Sequence, residues 1–331
     1  MKISFFETKE EYQKVLQPLL PDMTVEYSTE PLSPKNVANF KDSEAIAIFV
    51  GSKIDKNIID SLPKLKAIMT MSTGYDHIDT KYAKQKGIAV CNVAGYGSVC
   101  VAEFAFGLIL SLSRKITQAN RHLRDTNEFS FENLQGFDLN GKILGIIGTG
   151  RIGQHVAQIA NAFGMKILGF DAKPNPALAE KFQYVSLDEL LKQSDVITIH
   201  VPYLPSTHHL INKDNLRFVK KGAILVNTAR GEIIETEALV AVLTEGRLAG
   251  AGLDVLEGEH EMKDELHILA NPASTVADFR KLYVNHMLID FPQVIVTPHM
   301  AFYSREALNE IMVTTAENIK SFLQGTPKNL V

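Results

Sequence analysis

The stretch Gly141–Asp171, GKILGIIGTGRIGQHVAQIANAFGMKILGFD, decides how the chain is read. Ile143, Leu144, Ile146 and Ile147 form a short apolar run suited to a strand buried on both faces of a parallel sheet. Gly148, Gly150 and Gly153 follow at GxGxxG spacing. The first permits a tight turn, the second lets backbone approach a pyrophosphate, and the third lets helix and strand pack closely. The helix that opens here turns its unpaired N–H groups and positive dipole end toward phosphate, with Arg151 and Ile152 in its first turn. Asp171 ends the second apolar run, 18 residues beyond Gly153, where a carboxylate accepts hydrogen bonds from ribose hydroxyls. A 2′-phosphate there would face a like charge, so the stretch favours NAD over NADP. Lys173 is the discordant residue, since a cation beside the acid suits a 2′-phosphate.

The rest of the chain extends this unit on both sides. Its 331 residues exceed a usual single core, so two domains are expected. Ile3–Phe6, Ala45–Val50, Ala67–Met71 and Ile88–Val93 read as strands of a first, smaller α/β unit. Val101–Ile116 is apolar almost all round, which predicts a buried helix either between domains or against a second subunit. Beyond the glycine turn, strands are expected at Val196–Val201, Ala223–Asn227, Gly250–Val255 and Val294–Thr297, enough for a doubly wound parallel sheet of the Rossmann type. The last helix carries Leu308, Ile311, Met312, Thr315, Ile319, Phe322 and Leu323 on one stripe and is expected to return to the first domain.

Composition narrows the class. Apolar content of 45% and charged content of 22% are ordinary for a water-soluble globular protein. A net charge of −4 gives no basic footprint for nucleic acid or an anionic membrane, and neither partner is expected. The N-terminal apolar run is too short and too charged for a signal peptide, and Val101–Leu112 is too short to span a bilayer. Two cysteines, Cys91 and Cys100, make a disulfide framework improbable, so a cytoplasmic location is expected.

Ligand chemistry in such a sheet belongs at the C-terminal ends of its strands. Three tails stand out. After AILV comes Asn227-Thr228-Ala229-Arg230-Gly231, where Arg230 offers a planar fork for a carboxylate or phosphate. Gly252-Leu253-Asp254-Val255 is followed by Glu257 and Glu259. Val296-Thr297-Pro298-His299 ends on an imidazole, which can give and take one proton in a turnover. An arginine, a carboxylate and a histidine beside a nicotinamide would suffice to reduce a 2-keto acid. The arginine would pair the substrate carboxylate and polarise C2=O, the histidine would protonate the oxygen, and the carboxylate would stabilise the imidazolium. Glu259, His260, Glu261, Asp264 and His267 imitate a metal cluster, but no pair has an established zinc spacing and no metal is expected.

With these residues in view, the chain resembles the D-2-hydroxyacid dehydrogenase family over essentially its full length. The resemblance is carried by Ser72-Thr73-Gly74-Tyr75-Asp76-His77-Ile78-Asp79, Gly148–Gly153, His200-Val201-Pro202 with Ser206-Thr207-His208, Asn227–Gly231, Gly252–Glu259 and Thr297-Pro298-His299. It implies Arg230, Glu259 and His299 as the catalytic trio, with Glu257 a rival for the acid set aside because the family's acid lies five residues past the aspartate. It implies Thr73 and Gly74 as the loop whose amides hold the substrate carboxylate. Gly148, Gly150, Arg151, Ile152, Gly153, Asp171, Val201, Pro202, Thr207, Thr228, Ala229, Arg230 and Asp254 fall on its NAD-contacting positions. It further implies a discontinuous, flavodoxin-like substrate domain at 1–99 and 300–331, a Rossmann cofactor domain at 100–299, and substrate in the cleft.

Within the family, the long segment His260–Gln293 and Met300-Ala301-Phe302-Tyr303 resemble the D-lactate dehydrogenase branch. Tyr96 sits where that branch places a substrate-side tyrosine, although it could equally fill the seam between domains, and Phe302 joins the substrate set. Gly51 departs from the pattern, since lactate-specific relatives present an aromatic there; the missing ring leaves space and predicts tolerance of 2-keto acids bulkier than pyruvate. The expected activity is hydride transfer between NAD(H) and a small 2-keto/D-2-hydroxy acid, foremost pyruvate/D-lactate. A glyoxylate or hydroxypyruvate reductase is the near alternative and an NAD-sensing corepressor-like binding protein the distant one. The apolar helix from Val101 points to a homodimer.

Overall fold

A computed structural model describes residues 1–259, 262, 265 and 274–331. The chain forms two compact units, Met1–Gly97 with Tyr303–Val331, and Ser98–Phe302. In the first, β1 (Lys2–Phe5), β2 (Thr24–Tyr27), β3 (Ala45–Ile48), β4 (Ala67–Thr70) and β5 (Ala89–Cys91) make a parallel sheet in the order β2-β1-β3-β4-β5. This is the flavodoxin-like order, whose direction reverses between β1 and β3. Every residue of β3 and β4 is buried, as the apolar runs predict for strands covered on both faces. β2 escapes that reading, because its residues TVEY lie at the sheet edge and none is fully buried. The C-terminal helix Arg305–Leu323 packs on the helix Glu10–Leu19 and on β4, burying Ile311, Met312, Thr315 and Ile319.

The second unit holds β6 (Ile143–Ile147), β7 (Lys166–Phe170), β8 (Gln183–Tyr184), β9 (Val196–Ile199), β10 (Ala223–Asn227), β11 (Leu248–Leu253) and β12 (Val294–Val296), all parallel, in the order β12-β11-β10-β9-β6-β7-β8. Its strands run outward in both directions from β6 and β9, the Rossmann arrangement, with the switch point between those two strands. The helix Ser98–Ser113 lies in the core of this unit, where Ala102, Ala105, Phe106 and Ile109 pack with Leu144, Ile146, Val156 and Val226. The helix Arg151–Ala162 and the sheet of its own unit cover one side of it, while Val99, Glu103 and Gly107 are exposed. The helix ends before Lys115, which takes the left-handed conformation, and a separate helix Ile116–Thr126 follows with no buried residue.

The glycine turn is built as its spacing requires. Gly148 has φ +98°, and a side chain there would strike the His200 carbonyl and the Val201 nitrogen at 2.6–2.7 Å. A Cβ on Gly153 would lie 2.2 Å from the Gly148 carbonyl oxygen, so only glycine lets the helix Arg151–Ala162 sit on β6. Gly153→Ala is accordingly expected to cost about 1–3 kcal/mol through overpacking, lowering Tm by roughly 2–10 °C in a thermal melt. An unchanged Tm would contradict this packing.

Candidate active site

Three neighbouring parallel strands deliver the candidate chemistry to one sheet edge. Asn227 at the end of β10 pairs in register with Leu253 at the end of β11, and Leu253 with Val296 at the end of β12. Arg230, Glu259 and His299 lie on the segments that leave these strands. Asn227 shapes the first: its side chain accepts from the Ala229 amide at 3.0 Å and donates to the Arg230 carbonyl at 2.8 Å. Half-buried Arg230 donates from Nη1 to the Ala229 carbonyl at 2.8 Å.

The third segment is bound by the second. Asp254 is 1% exposed, and its Oδ1 accepts from the Thr297 hydroxyl at 2.6 Å and the Met300 amide at 2.9 Å, while Oδ2 accepts from the Ala301 amide at 2.8 Å. Burial raises this carboxyl above the ordinary range, against the lowering effect of those donors. The His299 amide donates to the Asp254 carbonyl at 2.8 Å, and His299 itself is held at φ +53°, a conformation uncommon outside glycine and asparagine. Its Nδ1 lies 2.7 Å from Glu259 Oε1, with both side chains about four-fifths covered. A ring that donates Nδ1–H to a carboxylate presents Nε2 as its proton-exchanging atom.

Glu257, two residues before Glu259, belongs to a different group. It accepts from the Thr236 hydroxyl at 2.7 Å and from His209 Nε2 at 3.0 Å. Burial works to raise the Glu257 carboxyl, but the hydrogen bonds from Thr236 and His209 outweigh it and hold it below the usual range. Sequence spacing alone does not separate the two acids, because the separation depends on which histidine each meets.

The residues of the dinucleotide motif lie on both sides of the switch point, past β6, β7 and β9. Gly150 caps the helix Arg151–Ala162 without a side-chain cap, and nothing lies within 4 Å of where its Cβ would be. A helix start free of side chains at this position suits the close approach of phosphate oxygens. Asp171 directly follows β7; its Oδ2 accepts from the Thr149 amide at 2.9 Å and its Oδ1 from the Lys173 amide at 3.0 Å, which fixes the carboxylate. The Thr207 hydroxyl bridges the Pro202 carbonyl at 2.7 Å and the Leu204 amide at 2.8 Å, closing the loop after Val201. Thr228 is buried with no partner for Oγ1, and His200 likewise leaves Nδ1 buried and unpartnered. This open helix start, fixed acid and orphaned hydroxyl fit a dinucleotide.

In the first unit, the loop after β4 exposes Thr73 and half-exposes Gly74. The Thr73 hydroxyl donates to the Val93 carbonyl at 2.9 Å, Asn92 donates to the Thr73 carbonyl at 2.8 Å, and the Ser72 hydroxyl donates to the Gly74 carbonyl at 2.6 Å. Half-buried Tyr96 lies in the turn before the helix Ser98–Ser113, and the half-buried Phe302 accepts through its carbonyl from Cys100 Sγ at 3.6 Å. The space expected beside Gly51 is occupied by the Glu7 carboxylate. A Cβ on Gly51 would lie 2.3 Å from Glu7 Oε1, because Glu7 accepts from the Gly51 amide at 3.0 Å and the Ser52 hydroxyl at 2.7 Å. Sequence reading missed Glu7, since nothing in its local pattern marks a contact made 44 residues away.

Among the described residues, no group of three or more His, Cys, Asp or Glu could hold a metal ion. His260, Glu261, Asp264 and His267 of the expected metal mimic lie outside the described residues. No described helix is long and apolar enough to cross a membrane.

Two parallel α/β sheets, one with a dinucleotide cradle and an imidazole–carboxylate pair at strand ends, define a nucleotide-dependent oxidoreductase. Comparison with known proteins narrows the class. Residues 106–301 match the family model for the NAD-binding domain of D-isomer-specific 2-hydroxyacid dehydrogenases. The chain is 37% identical over 309 residues to D-lactate dehydrogenase kk1H of Curvularia clavata, covering 93% of this chain and 86% of that one. It is 34% identical to glyoxylate reductase of Thermococcus litoralis, covering 100% and 97%. The crystal structure of D-lactate dehydrogenase from Aquifex aeolicus with NAD and lactic acid superposes with a TM-score of 0.88 at 36% identity, covering 98% and 96%. The chain belongs to the D-2-hydroxyacid dehydrogenase family and is an NAD-dependent oxidoreductase of 2-keto and D-2-hydroxy acids.

The buried imidazole of His200 generates a pH-dependent stability. Desolvation brings it from its ordinary value near 6.5 down to about 3, so the folded protein keeps it neutral. Unfolded chains take up that proton below about pH 6.5, so the stability present above 6.5 is lost as pH falls from there toward 3. Urea unfolding at about pH 7 and about pH 4.5 is expected to show a smaller drop in His200→Asn than in wild type. Equal drops would contradict the burial of a neutral ring.

Proposed function

We propose that the enzyme interconverts pyruvate and D-lactate. The observation that carries this reading is the 2.7 Å Glu259–His299 pair, set at a strand end in a backbone conformation that Asp254 enforces. Bound NADH supplies the hydride that reduces C2. His299 donates the proton that the C2 oxygen acquires and takes it back in the reverse direction, and Glu259 stabilises the imidazolium between those steps. Arg230 pairs the substrate carboxylate through its fork and polarises the carbonyl. The amides of Thr73 and Gly74 hold the carboxylate, and Tyr96 and Phe302 cover the substituent on C2. Arg151 and Ile152, Asp171, Val201, Pro202, Thr207, Thr228, Ala229 and Asp254 hold the dinucleotide, Asp171 selecting NAD through its ribose.

The substrate choice is supported by the similarity to two D-lactate dehydrogenases, one solved with lactic acid. The full-length similarity to a glyoxylate reductase supports a second reading as a glyoxylate or hydroxypyruvate reductase. Initial rates of NADH oxidation separate them: pyruvate is expected to give the highest kcat/KM, and a higher value for glyoxylate or hydroxypyruvate would reverse the assignment. His299→Ala is expected to lose roughly 10²- to 10⁴-fold in kcat with NADH binding retained. Near-normal turnover would remove His299 from the mechanism.

The assembly we infer is a homodimer through the surface of the second unit that carries Phe129 and Phe131. These rings are 97% and 91% exposed, and Ile116 and Leu123, seven residues apart on one helix, are 54% and 41% exposed. Rings left this open in a monomer are costly, and a second copy covers them. A cytoplasmic location agrees with Cys91 and Cys100 being thiols rather than a disulfide. Sedimentation is expected to give a dimer for the wild type and a monomer for Phe129→Asp/Phe131→Asp; a monomeric wild type would contradict the interface.

A further inference from the structure

We infer that Glu257, paired with His209, is a positioning residue that sets Glu259 against His299. Glu259 and His299 keep the proton-transfer role proposed above, on which this inference rests. Two histidines of the second unit have left-handed backbones, His209 at φ +48° and His299 at φ +53°. Each meets a carboxylate of the same short segment. His209 Nε2 lies 3.0 Å from Glu257 Oε1, and His299 Nδ1 lies 2.7 Å from Glu259 Oε1. Only Gly258, at φ +73°, separates the two acids. Glycine is the most pliable joint in a chain, so the direction of Glu259 depends on what fixes Glu257.

Glu257 is held from several elements at once. Its Oε2 accepts from the Thr236 hydroxyl at 2.7 Å and the Thr236 amide at 3.4 Å, at the start of the helix Thr236–Thr244. Its carbonyl accepts at 2.9 Å from the side chain of Asn285, which is buried on the helix Val276–Asp290. A Cβ on Gly231 would lie 2.0–2.2 Å from the Leu256 carbonyl group and the Glu257 nitrogen, so the residue beside Arg230 packs directly on this backbone. His209 is itself immobilised. Its amide donates to the Glu232 carbonyl at 2.9 Å, its carbonyl accepts from the Asn212 side chain at 2.9 Å, and the His208 ring stacks on its own with centroids 4.0 Å apart. The Glu257 side chain is 17% exposed, too covered for the pair to be an incidental surface contact. Both of its oxygens are engaged by Thr236 and His209, which makes its part that of an anchor.

The test is a double-mutant cycle in kcat for pyruvate reduction with Thr236→Val and Glu259→Gln. Valine keeps the shape of threonine and leaves the charge of Glu257 in place, while the hydroxyl that holds it is withdrawn. Thr236→Val is expected to lower kcat roughly fivefold to fiftyfold, the effect of a catalytic group set slightly out of line, with KM for NADH and for pyruvate within about twofold of wild type. In the Glu259→Gln background the same substitution is expected to change kcat by less than about twofold, because the acid it displaces is gone. Thr236→Ser restores the hydroxyl and is expected to return kcat to within about twofold of wild type. A kcat within about twofold of wild type in Thr236→Val, or a loss that persists in full in the Glu259→Gln background, would overturn the inference while leaving the activity intact. Should Thr236→Val not fold, His209→Asn takes its place in the cycle with the same expectations, since asparagine tolerates the left-handed backbone and is too short to reach Glu257. A Glu259→Gln enzyme as fast as wild type would instead refute the role of Glu259, and this inference with it.

Discussion

The buried carboxylate of Asp254 is the constraint on which the arrangement of the second unit depends. A charged group at 1% exposure is costly unless its oxygens are satisfied, and here the satisfying donors are Thr297, Met300 and Ala301. The residues on either side of His299 are thereby tied to the end of β11, with the left-handed turn between them. The imidazole is directed by its backbone, and Glu259 fixes the ring. Strain in the turn is sustained by the hydrogen bonds around it, which is how a fold holds a reactive group in one orientation.

The same sheet edge builds the dinucleotide cradle by a different device. Close packing, rather than charge, rules at Gly148 and Gly153, where backbone from the segment that follows β9 and from the turn itself occupies the positions of the absent side chains. No side chain caps the helix start, an arrangement that suits an anion at its N–H groups. Asp171 is held by Thr149, a residue of the turn, so the glycine turn and the acid that follows β7 are mechanically one piece.

Much of this is legible in the amino-acid sequence. Periodicity alone located β6, β9 and β10, because strands buried on both faces are written as unbroken apolar runs. It missed β2 and β8, whose few residues lie at sheet edges and pack on one side. The helix Ser98–Ser113 shows another limit: an all-round apolar helix states that it is buried, and only the fold states by what. Resemblance to a family indicated Arg230, Glu259 and His299, but the inward use of Asp254, the engagement of Glu257 by His209 and the filling of the Gly51 space by Glu7 all arise between residues remote in sequence. Contacts of that kind leave no local signature.

The central claim is that His299 and Glu259 act as one proton-transfer unit. A double-mutant cycle in kcat with His299→Gln, Glu259→Gln and the two combined tests it most directly. The double variant is expected to be no slower than His299→Gln alone, within about threefold, since an acid whose imidazole is gone has nothing left to stabilise. Losses that multiply through the cycle would show two independent residues and contradict the account.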